Sequence, residues 1–180
     1  MRLLTLFLSL LCVNVFAELP PNLQENKDSK ESIKVFEAWK AKADRGDALY
    51  QLLVGDSLAV GCGVKQNFVE SFKYYEKSAD QGLLMAQSKL AECYESGIGV
   101  EKDLVKAHAY YSLCLLTCDA KGLQRFMADI KRIEQLMSYI EIQAAYRLKE
   151  MLQGEMVRTS KELAVTLKAE IEAKKQADKK

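Results

Sequence analysis

Apolar and polar positions in the middle of the chain follow the spacing of amphipathic α-helices. From about 48 to 59 and from about 84 to 96, apolar and small residues recur every three or four positions and so share one helical face. A second helix follows each of these segments and ends near Ser78 or Leu116. We call the first kind A helices and the second kind B helices. The two prolines are both at 20–21, and abundant Ala, Leu, Lys and Glu predict an all-α protein.

Glycines and polar residues mark the predicted helix ends. Gly61 and Gly97 follow the A helices, at the position where a left-handed C-terminal cap favours glycine. Asn67 and Asp103 are predicted N-caps of the B helices, and Asn67 with Glu70 has the form of a capping box. The sequence therefore predicts two helix hairpins of the same design.

This design occurs twice at an interval of 36 residues. The segment GCGVKQNFVESFKYYEKSADQG begins at Gly61, and GIGVEKDLVKAHAYYSLCLLTC begins at Gly97. Such a period is typical of a solenoid, in which each hairpin buries its apolar face against its neighbours. We predict that the repeated glycines end and connect helices and that paired tyrosines fill the space between hairpins. These residues are Gly46, Gly61, Gly63, Gly82, Gly97, Gly99, Tyr74, Tyr75, Tyr110 and Tyr111.

The two copies resemble the Sel1-like repeat family of tetratricopeptide-like solenoids. Residues 79–115 contain, in order, Ala-x-x-Gly, Ala-Gln, Leu-Ala-x-x-Tyr, Gly-x-Gly-Val, a polar cap, Lys-Ala and Tyr-Tyr. The copy at 43–79 is looser, because Tyr50 and Ser71 stand where Ala86 and Ala107 stand in the other copy. The resemblance implies a short right-handed α-solenoid of helix hairpins with end-capping helices.

The beginning of the chain predicts export. Residues 1–17 combine Arg2, an apolar run too short to span a bilayer and a small residue at Ala17, which is typical of a signal peptide cleaved after that residue. Attachment as a lipoprotein through Cys12 fits less well, because Leu11 is bulky for that motif. We expect a periplasmic or secreted protein that does not insert into a membrane after cleavage.

The rest of the chain divides into a leader, a repeat domain and a tail. We predict a flexible leader at 18–28, a domain at 29–153 and a charged helical tail at 155–180 that frays into solvent. The domain is predicted to contain a capping helix at 29–44, repeats at about 45–80 and 81–116, and a closing helix pair at 119–153.

Cap signals also appear in the flanking helices. Asp28 is the expected cap of the first helix, and Ser138 with Glu141 has the form of a capping box before the last one. The first helix should pack on repeat one through an apolar face made of Val35, Phe36 and Trp39.

Charge and motifs disfavour several function classes. Lys and Arg number 26 against 25 Asp and Glu, so no net field directs the chain to nucleic acid. His108 is the only histidine, which leaves no multi-histidine zinc site, and its place in the repeat, where repeat one has Phe72, favours packing over base catalysis. The chain has no Ser-x-x-Lys or Gly-x-Ser-x-Gly, and its Gly-x-Gly lacks the strand and third glycine of a dinucleotide site. We expect no catalysis, metal or cofactor.

Four cysteines remain after the predicted cleavage: Cys62, Cys93, Cys114 and Cys118. Two interpretations stay open, disulfides of undefined pairing in an oxidising compartment or small apolar core residues. A bridge between Cys114 and Cys118, one helical turn apart, would require the helix end to unwind. The cysteine-rich secreted branch of the resembled family, some of whose members are described as penicillin-binding hydrolases, has its bridging cysteines where this chain has Ala79 and Gln87. The resemblance to that branch therefore fails.

Binding of a protein or peptide remains as the leading function. The resemblance implies a concave face lined by A helices, on which polar positions of repeat two correspond to partly apolar positions of repeat one. The leucines of repeat one either lie under the N-terminal helix or leader, or anchor a peptide. The candidate binding residues are Leu52, Leu53, Asp56, Ser88, Lys89 and Glu92. A cell-envelope hydrolase of the β-lactam-binding kind and a secreted effector that binds a host protein stay open as alternatives.

Overall fold

The structure is a computed structural model that describes residues 29–177, with side chains described up to residue 158. This part of the chain contains seven helices and no strand: α1 (Lys30–Ala43), α2 (Ala48–Val60), α3 (Phe68–Asp80), α4 (Leu84–Ser96), α5 (Leu104–Cys114), α6 (Ala120–Glu134) and α7 (Tyr139–Ala177). The all-α repeat architecture predicted from the sequence is confirmed. The predicted signal peptide, Cys12, the whole predicted leader and the last three residues lie outside the described residues.

The helices stack in chain order. The A helices α2 and α4 pack against the B helices that follow them, α3 and α5, and each of the helices α1, α3 and α5 also packs against the next helix in the chain. One continuous core therefore runs through both repeats into α6. Its largest buried members are Leu52, Phe72, Tyr75, Leu90, Tyr94, Tyr111, Phe126, Ile130 and Ile133.

The helix caps lie where the sequence predicts them. Gly61 and Gly97 end α2 and α4 with φ of 74° and 72°, in the left-handed region. The Asn67 side chain accepts a hydrogen bond from the Glu70 N–H at 3.1 Å, and the Asp103 side chain accepts one from the Lys106 N–H at 3.0 Å. Each hairpin therefore turns through the same capped connection.

The second glycine of each Gly-x-Gly has a different role, which the sequence did not reveal. A Cβ atom at Gly63 would lie 2.2 Å from the carbonyl oxygen of Ser32 in α1, and one at Gly99 would lie 2.2 Å from that of Phe68 in α3. Only glycine lets this connection approach the preceding B helix so closely. These two contacts join each hairpin to the helix before it.

Helix α1 covers the beginning of the solenoid, as predicted. Phe36 and Trp39 pack on a buried cluster of Val54, Leu58 and Tyr74, and Val35 joins Trp39 on a second cluster around Val60. The N-cap, however, is Ser29, whose hydroxyl oxygen accepts from the Ser32 N–H at 3.1 Å. The prediction of Asp28 as cap was therefore wrong by one residue, because a serine is an equally good cap and stands one position later.

The closing helices differ from the predicted pair. Helices α6 and α7 both pack on α5. The predicted capping box forms, since the Glu141 carboxylate accepts from the Ser138 N–H at 2.7 Å. The predicted division at Gly154 is wrong, because α7 continues through that residue. A glycine inside a helix costs about 1 kcal/mol relative to alanine, which does not end a helix flanked by strong helix formers.

Beyond Gly154, helix α7 returns to the repeats. The Gln87 side chain in α4 donates a hydrogen bond to the Met156 sulfur at 3.1 Å. Glu155 lies close enough to Asp80, at the end of α3, to raise the pKa of that carboxyl. Residues at the beginning of the predicted tail therefore belong to the surface of repeat two.

Candidate binding surface on the A helices

Leu52, one of the two predicted peptide anchors, is a core residue. Its side chain is 1% exposed and belongs to the same core cluster as Tyr75 and Leu90. The prediction of Leu52 as a surface residue was wrong because most of α2 is buried, so the apolar pattern did not reveal which side faces outward. Leu53 is half-buried and keeps part of its side chain at the surface.

Three of the polar candidates are also buried. Asp56 in α2 accepts a hydrogen bond from the Tyr75 hydroxyl at 2.8 Å. Burial raises the pKa of Tyr75 well above its usual value, and the Asp56 charge adds to this effect. Ser88 and Lys89 in α4 are less than a tenth exposed. The prediction that these three residues lie at the surface was therefore wrong. Their polar side chains suggested exposure, but neighbouring helices enclose them.

An ion-pair network joins helix α4 to helix α6. Arg125 donates to Glu92 at 2.8 Å, and Arg132 forms a two-point pair with Glu95. Arg132 also donates to Asp129 at 2.8 Å. Such pairs contribute roughly 0.2–1 kcal/mol each, so the network adds more to the geometry of this surface than to its stability. Of the predicted polar candidates, Glu92 alone stays partly exposed.

Two exposed apolar residues that the sequence did not single out lie at the beginning of the A helices. Leu49 in α2 is 50% exposed and Met85 in α4 is 48% exposed, and they occupy the same position in successive repeats. Comparison of the two copies at this position would have found them, because both residues are large and apolar. We define the A-helix surface as Leu49, Leu53, Met85, Glu92 and Arg125.

The four repeated tyrosines fill the space between hairpins in two ways. Tyr75 and Tyr111 are buried, and their hydroxyls reach the A helices, where they donate to Asp56 and, at 3.0 Å, to Glu95. Tyr74 and Tyr110 also pack on the A helices, against Leu58 and Tyr94, but their hydroxyls form no hydrogen bond with those helices. Tyr74 is buried against α1, and Tyr110 is half-buried.

The four cysteines of the repeat domain are free thiols. Cys62 and Cys114 are buried, and burial raises the pKa values of both Cys93 and Cys114 to about 12. Such thiols stay protonated and are poor nucleophiles. Of the two open interpretations, the structure agrees with small apolar core residues.

His108 lies in a closed hydrogen-bonded group. It is fully buried, and its Nε2 lies 2.9 Å from Glu134 while its Nδ1 lies 3.3 Å from the Ser112 hydroxyl. The edge of its ring also contacts Tyr146, at 5.1 Å between ring centres. The buried imidazole is closed to a substrate. Its contacts with Ser112 in α5, Glu134 in α6 and Tyr146 in α7 join these three helices.

Residues 29–158 and the described helices offer neither a metal site nor a membrane-spanning segment. That part of the chain holds no group of three His, Cys, Asp or Glu side chains arranged for a metal ion. None of the described helices combines the length and apolar character needed to cross a bilayer.

The family follows from the repeats themselves. A model of the Sel1 repeat family matches residues 48–83 and 84–113, which correspond to α2–α3 and α4–α5. A Sel1 repeat protein from Oxalobacter formigenes is 33% identical over 50% of this chain and 68% of its own, with a TM-score of 0.47. The chain belongs to the Sel1 repeat family. Sel1 repeat proteins are commonly scaffolds for protein interaction and are generally non-catalytic.

A second solved structure shares the fold. It is a protective antigen present in uropathogenic Escherichia coli strains that displays an SLR fold, and it is 24% identical with a TM-score of 0.65 over 82% of this Sel1 repeat chain. Our chain spans 31% of the length of that antigen. No curated protein matches the sequence.

Proposed function

We propose that this chain is an exported, non-catalytic Sel1 repeat scaffold that binds a protein or peptide through the A-helix surface. The observation that carries the proposal is the repeated exposure of a large apolar side chain, Leu49 in repeat one and Met85 in repeat two. Membership of the Sel1 family supports a role in protein interaction. With two full repeats, the surface fits a short segment of a partner better than a whole protein.

The A-helix surface combines two properties that binding requires. Leu49, Leu53 and Met85 offer apolar area, and covering the exposed half of Leu49 or of Met85 contributes on the order of 1 kcal/mol. Glu92 and Arg125 supply a charged rim whose side chains already hold each other in place. An apolar centre with a polar rim is the usual composition of a specific interface.

The proposal also includes export of the chain after cleavage of residues 1–17. It is supported by the signal-peptide pattern of residues 1–17, which ends at Ala17. Intact-mass measurement of the protein recovered from the cell envelope or medium should give a chain that begins at Glu18. Recovery of the chain with its first 17 residues attached, in the cytoplasm, would contradict export.

Site-specific photocrosslinking tests the binding surface. A photoreactive phenylalanine analogue is placed at Met85 in residues 18–180, and the same analogue at Val69 is the control, because Val69 is a similarly exposed apolar residue on B helix α3. Exposure of these proteins to envelope and medium fractions should give one crosslinked partner from position 85 and none from position 69.

A double variant completes this test. For this variant the photoreactive analogue is placed at Leu53, which keeps part of its side chain at the surface between the two exposed residues, and it should crosslink the same partner in the parent chain. Leu49→Glu with Met85→Glu should abolish this crosslink at unchanged helix content, whereas Val69→Glu should leave it intact. Equal crosslinking from positions 85 and 69, or full retention of the partner by the double variant, would contradict the A-helix surface as the binding site.

A further inference from the structure

Tyr74 and Tyr110 occupy the same position in the two repeats, yet their surroundings differ. We call the group Lys40, Asp44 and Tyr74 the first junction. Here the Tyr74 hydroxyl donates to Asp44 at 3.3 Å, and the Lys40 ammonium lies 2.9 Å from the other oxygen of Asp44. Lys77 lies over the Tyr74 ring at 5.2 Å. The hydrogen bond from Lys40 lowers the pKa of Asp44, so the first junction supplies its own cation.

The equivalent positions in repeat two have lost that cation. Where the first junction has Lys40 and Asp44, repeat two has Glu76 and Asp80. Helix α7 adds a further carboxylate, Glu155, and burial together with the Glu155 charge raises the pKa of Asp80. Among the side chains that the structure describes, neither Glu76 nor Asp80 forms an ion pair with a basic residue.

A second tyrosine completes this group. Tyr94 stands where repeat one has Leu58, and its ring stacks on Tyr110 at 5.9 Å and meets the edge of Phe72 at 5.3 Å. Tyr94 is 6% exposed, and neither its hydroxyl nor that of Tyr110 has a hydrogen-bond partner among the described residues. No described side-chain oxygen or nitrogen is both buried and unpaired, so both hydroxyls keep contact with solvent. Glu76 follows Phe72 by one turn of α3 and so lies on the side of that helix that meets Tyr94. Burial and then the charge of Glu76 raise the pKa of Tyr94 to about 12. We call Glu76, Asp80, Tyr94, Tyr110 and Glu155 the second junction.

The lysine nearest to this group has another role. Lys106 lies over the Tyr94 ring at 4.9 Å and pairs with Asp103 at 3.7 Å. Asp103 is the N-cap of α5, so Lys106 belongs to the beginning of that helix. Among the described residues, Asp80 and the Tyr110 hydroxyl therefore have no counterpart of the Lys40 ammonium that lies beside Asp44 and Tyr74 in repeat one.

We propose that the second junction binds a lysine side chain of a partner protein, whose ammonium takes the place that the Lys40 ammonium takes in the first junction. An ammonium has three donors, which match the carboxylates of Asp80 and Glu76 and a phenol oxygen. The aromatic rings of Tyr94 and Tyr110 favour a cation beside them. This site shares no residue with the A-helix surface and does not depend on it.

Fluorine NMR with defined peptides tests the site. Fluorotyrosine is placed at position 110, with the exposed Tyr139 as a control position, and the chain is titrated with end-capped Gly-Lys-Gly and with end-capped Gly-Gln-Gly. We expect a saturable shift at position 110 with the lysine peptide, at a half-saturating concentration at least about tenfold lower than that of the glutamine peptide. Position 139 should not respond.

Exchange of the residues that distinguish the two junctions provides matched variants. Glu76→Lys gives repeat two its own cation and should abolish the response at position 110. Lys40→Glu removes the cation of the first junction and should produce a new response of fluorotyrosine at position 74. The Leu49→Glu, Met85→Glu double variant should respond like the parent chain, so a failure of the proposed function and a failure of this site are distinguishable.

Three results would overturn the lysine site. They are the absence of a saturable shift with the lysine peptide, equal responses to the two peptides, and an undiminished response in a folded Glu76→Lys variant. Should a lysine of the chain's own tail occupy the site, the parent chain would not respond to the peptide, and this outcome too would overturn binding of a partner lysine.

Discussion

The first and second junctions share one backbone and differ in charge. In both, a tyrosine of a B helix follows an aspartate at the end of an earlier helix by the same number of residues, but Lys40 beside Asp44 is replaced by Glu76 beside Asp80. The Tyr74 hydroxyl donates to Asp44 at 3.3 Å, whereas the Tyr110 hydroxyl forms no hydrogen bond with the described residues. The pKa of Asp44 is lowered by Lys40, and that of Asp80 is raised by burial and by Glu155. The difference shows that the repeat fixes the places of side chains on the surface while their charges stay free to change.

The close contacts of Gly63 with Ser32 and of Gly99 with Phe68, which join each hairpin to the preceding helix, should have the largest effect on stability. Gly63→Ala and Gly99→Ala would each drive a Cβ atom into a carbonyl oxygen at a positive φ, and we expect a loss of about 3 kcal/mol or more in the free energy of unfolding. Urea unfolding measures this loss. Gly82→Ala is the control, because its φ is also positive but its Cβ would meet nothing within 4 Å, and it should cost about 1 kcal/mol.

A loss at Gly99 no larger than that at Gly82 would show that the contact with Phe68 does not join the repeats. Unequal losses of stability from Gly63→Ala and Gly99→Ala would show that the two hairpins contact the preceding helix differently, in addition to the difference in charge between the junctions.

Removal of the tyrosine hydroxyls should affect the stability of the two junctions differently. Tyr74→Phe deletes the hydrogen bond to Asp44 and should lower the free energy of unfolding by about 0.5–1.5 kcal/mol. Tyr110→Phe deletes a hydroxyl that makes no hydrogen bond with the described residues and should change it by less than about 0.5 kcal/mol. Paired denaturant titrations measure the difference. Equal losses would indicate that Tyr110 has a partner of its own.

Charge exchange should have smaller effects of opposite sign. Glu76→Lys creates an ion pair with Asp80 one helical turn away and should raise the free energy of unfolding by about 0.3–0.5 kcal/mol. Lys40→Glu removes the cation beside Asp44 and should lower the melting temperature. High salt should weaken both effects. Destabilisation by Glu76→Lys at low salt would contradict the charge assignment of the second junction.

The smallest changes in the free energy of unfolding are expected from pH, which should act on Asp44 and Asp80 in opposite directions. The pKa of Asp44 is lowered on folding, so its charge stabilises the fold above its usual value of 3.8, and this contribution is lost as the pH falls through the folded pKa. Asp44→Asn should therefore destabilise at pH 7 and have less effect in acid. The pKa of Asp80 is raised on folding, so its charge opposes folding above that pKa, and Asp80→Asn should stabilise at pH 7 only. Melting temperatures at pH 3 and 7 test both signs.

The sequence predicts the features of this fold that repeat. The left-handed caps at Gly61 and Gly97, the N-caps at Asn67 and Asp103 and the limits of four helices follow from local chemistry, which acts over a few residues. Continuation of α7 through Gly154 was not predicted, because a single glycine only weakens a helix and tertiary contacts such as that of Met156 with Gln87 decide whether it ends.

The surface residues were predicted less well than the fold. Leu52 and Leu53 are adjacent on a helix that is largely buried, so only packing against α3 and α4 decides which of them is enclosed. Leu49 and Met85 could have been found by comparing equivalent positions of the two repeats. The contrast between Lys40 and Glu76 carries the same kind of signal, but its meaning depends on which tyrosine and aspartate lie beside each residue in space.

Carbon-detected NMR titration of the Asp44 and Asp80 carboxyl groups, in one sample of residues 18–180, tests the difference between the junctions most directly. We predict pKa values on opposite sides of 3.8, with Asp44 below and Asp80 above, and a fall of the Asp80 pKa when the lysine peptide is added. Two values on the same side of 3.8, or an Asp80 pKa that the peptide leaves unchanged, would contradict the proposed difference in charge between the surroundings of Asp44 and Asp80.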